Sequence, residues 1–174
     1  EVLSYYDFLN VMLGRKRFKV SLWMYDISDG VAKRFAWLLL GHHFEGIWHT
    51  GVVVHGREYW YGGGVFESQP GQTIFGMPDR VVDMKDMTMR SRDELWNFIV
   101  RELSTEFCPE NYDVLANNCN HFSDCLCLFL MNEHIPEETL KLPERLMGTC
   151  AAQCLRPWLN RALGRFKDDG DEAE

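Results

Sequence analysis

Glu45-Gly46-Ile47-Trp48-His49-Thr50-Gly51-Val52-Val53-Val54 is followed, after His55-Gly56-Arg57, by Glu58-Tyr59-Trp60-Tyr61-Gly62-Gly63-Gly64. Gly46 to Val54 and Glu58 to Tyr61 are β-prone runs separated by a short glycine-centred turn, which is the pattern of a β-hairpin. Working outward, Phe18 to Ile27 is rich in Val, Trp and Tyr and reads as an earlier strand. Asp29 to Leu40 reads as a helix with Val31, Phe35, Leu38 and Leu39 on one side and Gly41 at its end, and Val81 to Met84 as a further strand. Ser91-Arg92-Asp93-Glu94 is a capping box that opens a helix with Leu95, Phe98, Ile99 and Leu103 on its apolar face. Asn117 or Asn118 is an apt N-cap for another helix, from about Cys119 to about Met131, with Phe122, Leu126, Phe129 and Leu130 facing inward. Pro136 and Pro143 each open a turn of helix, and Cys154 to Phe166, interrupted by Pro157, is a last amphipathic stretch. Strands gathered ahead of helices predict an α+β domain.

A chain of 174 residues, 46% of them hydrophobic, can bury a core without metal or disulfide staples, so one domain over residues 18–166 is expected. Residues 1–17 read as an N-terminal extension or remnant. The net charge of -8 is not the balance of a nucleic-acid binder. Lys167 to Glu174 hold one positive and five negative charges, so half of that excess sits in a tail expected to be disordered. No run of 18 apolar residues occurs, and no transmembrane helix is expected. Six cysteines, Cys108, Cys119, Cys125, Cys127, Cys150 and Cys154, are too few and too clustered for a disulfide scaffold, which points to free thiols in a reducing compartment, cytoplasmic with a nuclear pool also compatible.

Two segments carry chemistry. A thiol at a helix start, as at Cys119, feels the positive end of the helix dipole and nearby N–H donors, which favour thiolate. Cysteine catalysis also needs an imidazole to accept and return a proton, and His49 on the hairpin can supply it if strand and helix pack together. The plainer alternative makes Cys119 a half-buried helix residue and His49 a strand histidine bonded to a carbonyl. His42, His43, His55 and His134 fall in turns and loops and read as surface. Zinc is the rival for Cys119, His121, Cys125 and Cys127, but residues two apart on a helix diverge by about 200°, so these four cannot converge on one ion. The same geometry turns His121 away from Cys119, and no metal or cofactor is expected. Gly62-Gly63-Gly64 lacks a phosphate-loop pattern and suits close backbone approach to an extended substrate, with Trp48 and Tyr61 as neighbouring groove candidates.

Three motifs together resemble the PPPDE superfamily, the permuted papain-fold peptidases, and within it the desumoylating isopeptidases. They are Glu45 to Val54 with Glu58 to Gly64, Pro70-Gly71-Gln72-Thr73, and Asn118-Cys119-Asn120-His121-Phe122-Ser123. The similarity runs from about Val20 to Ile135-Pro136 and Leu142-Pro143, and on to Leu155-Arg156-Pro157. The resemblance implies a circularly permuted papain-like fold in which the catalytic histidine precedes the cysteine, as His49 precedes Cys119. It implies Cys119 as nucleophile, His49 as base or ion-pair partner, and an oxyanion site formed by the backbone N–H of Cys119, with Asn117 or Asn118 as further donors or, alternatively, helix caps. Implied substrates are proteins conjugated to ubiquitin-like modifiers (SUMO or ubiquitin). S-acylated proteins, cleaved by the same dyad acting as a thioesterase, are one alternative, and a non-catalytic modifier-binding module is another. No third catalytic residue matches by motif. An exposed aromatic face would allow a homodimer.

Overall fold

Val20, Leu22 and Met24 alternate with Lys19, Ser21 and Trp23, and a strand sends such sets to opposite faces. In the computed structural model, which describes residue 8 and residues 12–27 and 48–141, this segment is strand β1 (Phe18–Asp26), and its alternating Val20, Leu22 and Met24 are buried. Strands β2 (Trp48–Val54) and β3 (Arg57–Tyr61) form the expected hairpin. Its turn, His55-Gly56, has positive φ at both residues (54° and 71°), the mirror-image turn whose twist matches the flanking strands. His55 is not the surface residue its turn position suggests. Its ring packs edge-on against Phe18 at 4.4 Å, because the tight turn folds it back over β1.

A short strand, β4 (Val65–Ser68), follows the three glycines, and β5 (Arg80–Thr88) is longer than the Val81 to Met84 run suggests. The five strands form one antiparallel sheet in the order β4-β3-β2-β1-β5. β2, which carries His49, is therefore an interior strand with both neighbours fixing its register.

Helix α1 (Arg92–Phe98) begins at the Ser91 capping box, with both reciprocal bonds formed, and continues as a π-helical turn over Ile99–Leu103. Helix α2 (Cys119–Met131) has the expected bounds; Asn118 caps it, and Asn132 ends it in the left-handed conformation. A single turn, α3 (Glu137–Leu140), follows Pro136. Leu22, Val52, Tyr59, Tyr61, Leu95, Phe107, Phe122 and Leu126 form the core between the sheet and α1 and α2. Phe129, expected inward, is half-buried and stacks on Phe98 at 4.1 Å, joining the two helices. The layering of helices on an antiparallel sheet is α+β. Among the described residues no helix is long and apolar enough to cross a membrane. The expected helix at Asp29 to Leu40, the segments from Leu142 onward with Cys150 and Cys154, and His42 and His43 lie outside the described residues.

Candidate active site

A capped helix start and an interior strand converge on Cys119. Asn118 lies at extended backbone angles and its Oδ1 accepts the N–H groups of Asn120 (2.9 Å) and His121 (3.2 Å), so Cys119 becomes the first residue of α2. The strand residue that meets this helix start is Thr50. Its Oγ1 lies 3.0 Å from Asn120 Oδ1, 3.3 Å from the Cys119 carbonyl oxygen and 2.9 Å from Ser123 Oγ. With Ser123 donating to Thr50, the threonine proton serves the other two acceptors. Asn120 extends the network: its Oδ1 accepts the Cys119 thiol at 3.7 Å, and its Nδ2 donates to the Thr139 carbonyl at 3.1 Å. All four residues, Thr50, Cys119, Asn120 and Ser123, are buried. Strand, helix and α3 are thus locked at one point.

His49 precedes Thr50, and strand alternation turns its ring to the opposite face. There the imidazole stacks on Phe75 (ring centroids 4.0 Å apart, interplanar angle 29°) and meets the edge of Trp60 at 5.8 Å. Its Nε2 is buried and has no hydrogen-bond partner among the described residues. Burial pushes the His49 pKa down to about 3. Cys119 shifts the other way. Burial pushes its thiol up to about 11, against the backbone N–H groups of Thr50, Asn120 and Cys119 itself, which favour the thiolate. The helix start therefore does not ionise Cys119 by itself, contrary to what its position alone predicts, because desolvation outweighs the donors. The N–H of Thr50 belongs to the peptide bond that leaves His49, so the sulfur lies against the backbone of the histidine's own strand. No hydrogen bond joins the Cys119 sulfur, which donates to Asn120 Oδ1, to His49 Nε2.

The remaining candidates divide. Asn118 Nδ2 donates to the Val114 carbonyl at 2.7 Å, and Asn117 Nδ2 to the carbonyls of Glu106 (2.8 Å) and Asn111 (3.1 Å). Both amides are committed to fastening the approach to α2; of the two, Asn118 is the helix cap, through its Oδ1, and Asn117 is not. His121 turns back to Asn118, its Nδ1 lying 2.9 Å from Asn118 Oδ1. Tyr61 is fully buried, donates its hydroxyl to the Cys108 carbonyl at 2.8 Å, and packs with Phe107, Tyr112 and Phe122. That makes it a core residue behind Cys119. Gly62 N–H bonds the Gly64 carbonyl (3.1 Å) with Gly63 at φ 84°, a tight turn into β4, and Trp48 is half-buried at the start of β2. Thr50, Asn120 and Ser123 lie inside the quoted motifs, but the motif reading gives them no role. Their signal is a hydroxyl at an inward position of an apolar strand, facing polar residues spaced three apart on a helix.

If Thr50 locks the helix start, Thr50→Val leaves buried partners unpaired, and a stability loss of about 1–3 kcal/mol is expected by urea denaturation. A loss below about 0.5 kcal/mol would mean that the network contributes little there.

A family model described as "PPPDE putative peptidase domain" matches residues 18–160. The chain belongs to the PPPDE peptidase family. Desumoylating isopeptidase 1 of Homo sapiens is 37% identical over 145 residues, covering 82% of this chain and 85% of the relative. The protein of the same name from Xenopus laevis is 34% identical over 142 residues, 81% of this chain and 83% of the relative. DeSI-like protein sdu1 of Schizosaccharomyces pombe is 32% identical over 127 residues, 68% of this chain and 60% of the relative. The matched PPPDE region takes in both His49 and Cys119.

Proposed function

We propose that this PPPDE peptidase is a cysteine isopeptidase that removes a ubiquitin-like modifier, SUMO in the first place, from target proteins, with Cys119 as nucleophile and His49 as general base and acid. The observation that carries this reading is the seating of the Cys119 helix start on Thr50, the strand residue next to His49, through the buried Thr50, Asn120 and Ser123 network. The names of the relatives, desumoylating isopeptidase, supply the substrate class. His49 preceding Cys119 in the chain agrees with a permuted papain-like order.

As substrate enters, the Cys119 thiol, which has no hydrogen bond to His49 Nε2 in the resting site, gives its proton to that imidazole while sulfur attacks the carbonyl carbon of the modifier's last residue. Neutral partners suit this concerted transfer, since burial disfavours either charge alone and the two charges arise together as a pair. The tetrahedral oxyanion lies at the start of α2, where the backbone N–H of Cys119 has no intrahelical acceptor. Collapse breaks the C–N bond, and the lysine amine leaves with the proton from His49. Water then attacks the thioester carbon, His49 taking its proton, and the second collapse releases the modifier carboxyl and restores the thiol. The Gly62 to Gly64 turn has no side chains to obstruct an extended C-terminal peptide.

Turnover of SUMO-conjugated, ubiquitin-conjugated and palmitoyl-thioester substrates, measured side by side, tests the assignment. The reading predicts release from the SUMO conjugate that is lost in Cys119→Ser. Thioester turnover with no modifier release would make the enzyme an acyl-thioesterase, and silence on all three a binding module.

A further inference from the structure

Glu58 on β3 is fully buried, yet it takes no part in the reaction above. The Tyr25 hydroxyl donates to its Oε1 at 2.5 Å, and the Gly71 N–H donates to its Oε2 at 3.1 Å. Burial holds its pKa above the ordinary carboxyl value, and those two donors pull it back toward the ionised form. A buried carboxyl is costly without such partners, so an apolar residue would be the cheaper way to fill the space. The sheet also makes room for it. Gly51 lies beside Glu58, and a Cβ at Gly51 would come within 2.8 Å of Oε1.

The group that Glu58 secures is a turn. Gly71, at φ 76°, lies in the Gln69 to Gly76 segment, which is closed by Gln72 N–H to the Gln69 carbonyl (2.9 Å) and Gly76 N–H to the Thr73 carbonyl (3.0 Å). That segment carries Phe75, whose ring stacks on His49, and Tyr25 also borders both rings, at 6.1 Å from His49 and 5.5 Å from Phe75. Tyr25 and Glu58 face this side of the sheet with His49, and Gln69 to Gly76 carries no titratable side chain. We propose that Glu58 is a positioning residue for His49: through Gly71 and Tyr25 it fixes the Gln69 to Gly76 turn and so holds Phe75 flat over the imidazole. The stack sets the ring plane and shields it from water, leaving the buried Nε2 to a group that enters the site. The proposal rests on the reading of His49 as the base.

The test pairs an NMR titration of the His49 ring with kcat and KM on the SUMO conjugate, in wild type, Glu58→Ala, Glu58→Gln, Tyr25→Phe and Phe75→Ala. In wild type the ring stays neutral well below the ordinary histidine range. Glu58→Ala and Phe75→Ala are expected to admit water and bring its midpoint up toward that range. Both are expected to lower kcat by about 10- to 100-fold, with KM within about twofold. Glu58→Gln keeps an acceptor for Gly71 and a polar partner for Tyr25, so it is expected to recover most of the kcat lost in Glu58→Ala. A folded Glu58→Ala protein with unmoved His49 titration and wild-type kcat would overturn the proposal. Should Glu58→Ala not fold, an unmoved titration in both Tyr25→Phe and Phe75→Ala would overturn it equally. If His49 proves dispensable for turnover, the catalytic reading fails, and the titrations still judge what Glu58 does to the ring.

Discussion

His49→Gln is expected to lower turnover of a modifier conjugate by about 10²–10⁴-fold, the range a positioned general acid–base contributes. Glutamine occupies similar space but cannot take the Cys119 proton or return one to the leaving amine. The same variant reads a second property. Burial lowers the His49 pKa from its unfolded value of 6.5 to about 3, so the folded state resists protonation that the unfolded chain accepts. A depressed pKa of this kind contributes stability that is complete above the unfolded value and is lost as pH falls toward the folded value. Between about pH 7 and pH 5 the wild type should therefore lose about 2 kcal/mol more than His49→Gln, measured by urea unfolding at the two pH values. Equal acid losses would mean that His49 is hydrated in solution.

Phe122→Ala is the largest stability loss expected, about 3–5 kcal/mol from lost burial and the cavity left behind. Phe122 is fully buried one turn into α2, against Tyr61 and edge-on to Phe107 at 5.3 Å. It presses onto the sheet the same helix turn whose first residue is Cys119. A domain's entire stability is about 5–15 kcal/mol, so the variant should unfold at much lower urea and lose activity in proportion to the fraction unfolded. A loss under about 1 kcal/mol would show that α2 is held elsewhere.

The parts that were legible in the sequence are those set by local pattern. Asn118 before apolar positions 122, 126 and 130 gives the start and inward face of α2, and the glycine turn between two apolar runs gives the hairpin. β4 was not legible, because Val65 to Ser68 is four half-buried residues without alternation, and only pairing with β3 makes it a strand. The candidate dyad could be named from motif, but its charge state could not. A helix start argues locally for thiolate at Cys119, whereas burial is a property of the assembled fold and acts in the opposite sense. Glu58 reads as an ordinary polar position in a strand. Its significance depends on Tyr25, 33 residues earlier, and on a glycine across the hairpin, which no single stretch displays.

The chemistry proposed for Cys119 and His49 is tested most directly by a SUMO protein carrying a C-terminal electrophile, with the adduct mapped by mass spectrometry. Wild-type protein is expected to acquire one modifier at Cys119, His49→Gln to do so about 10²–10⁴-fold more slowly, and Cys119→Ser not at all. An adduct that persists in Cys119→Ser, or that maps to Cys125 or Cys127, would contradict the account.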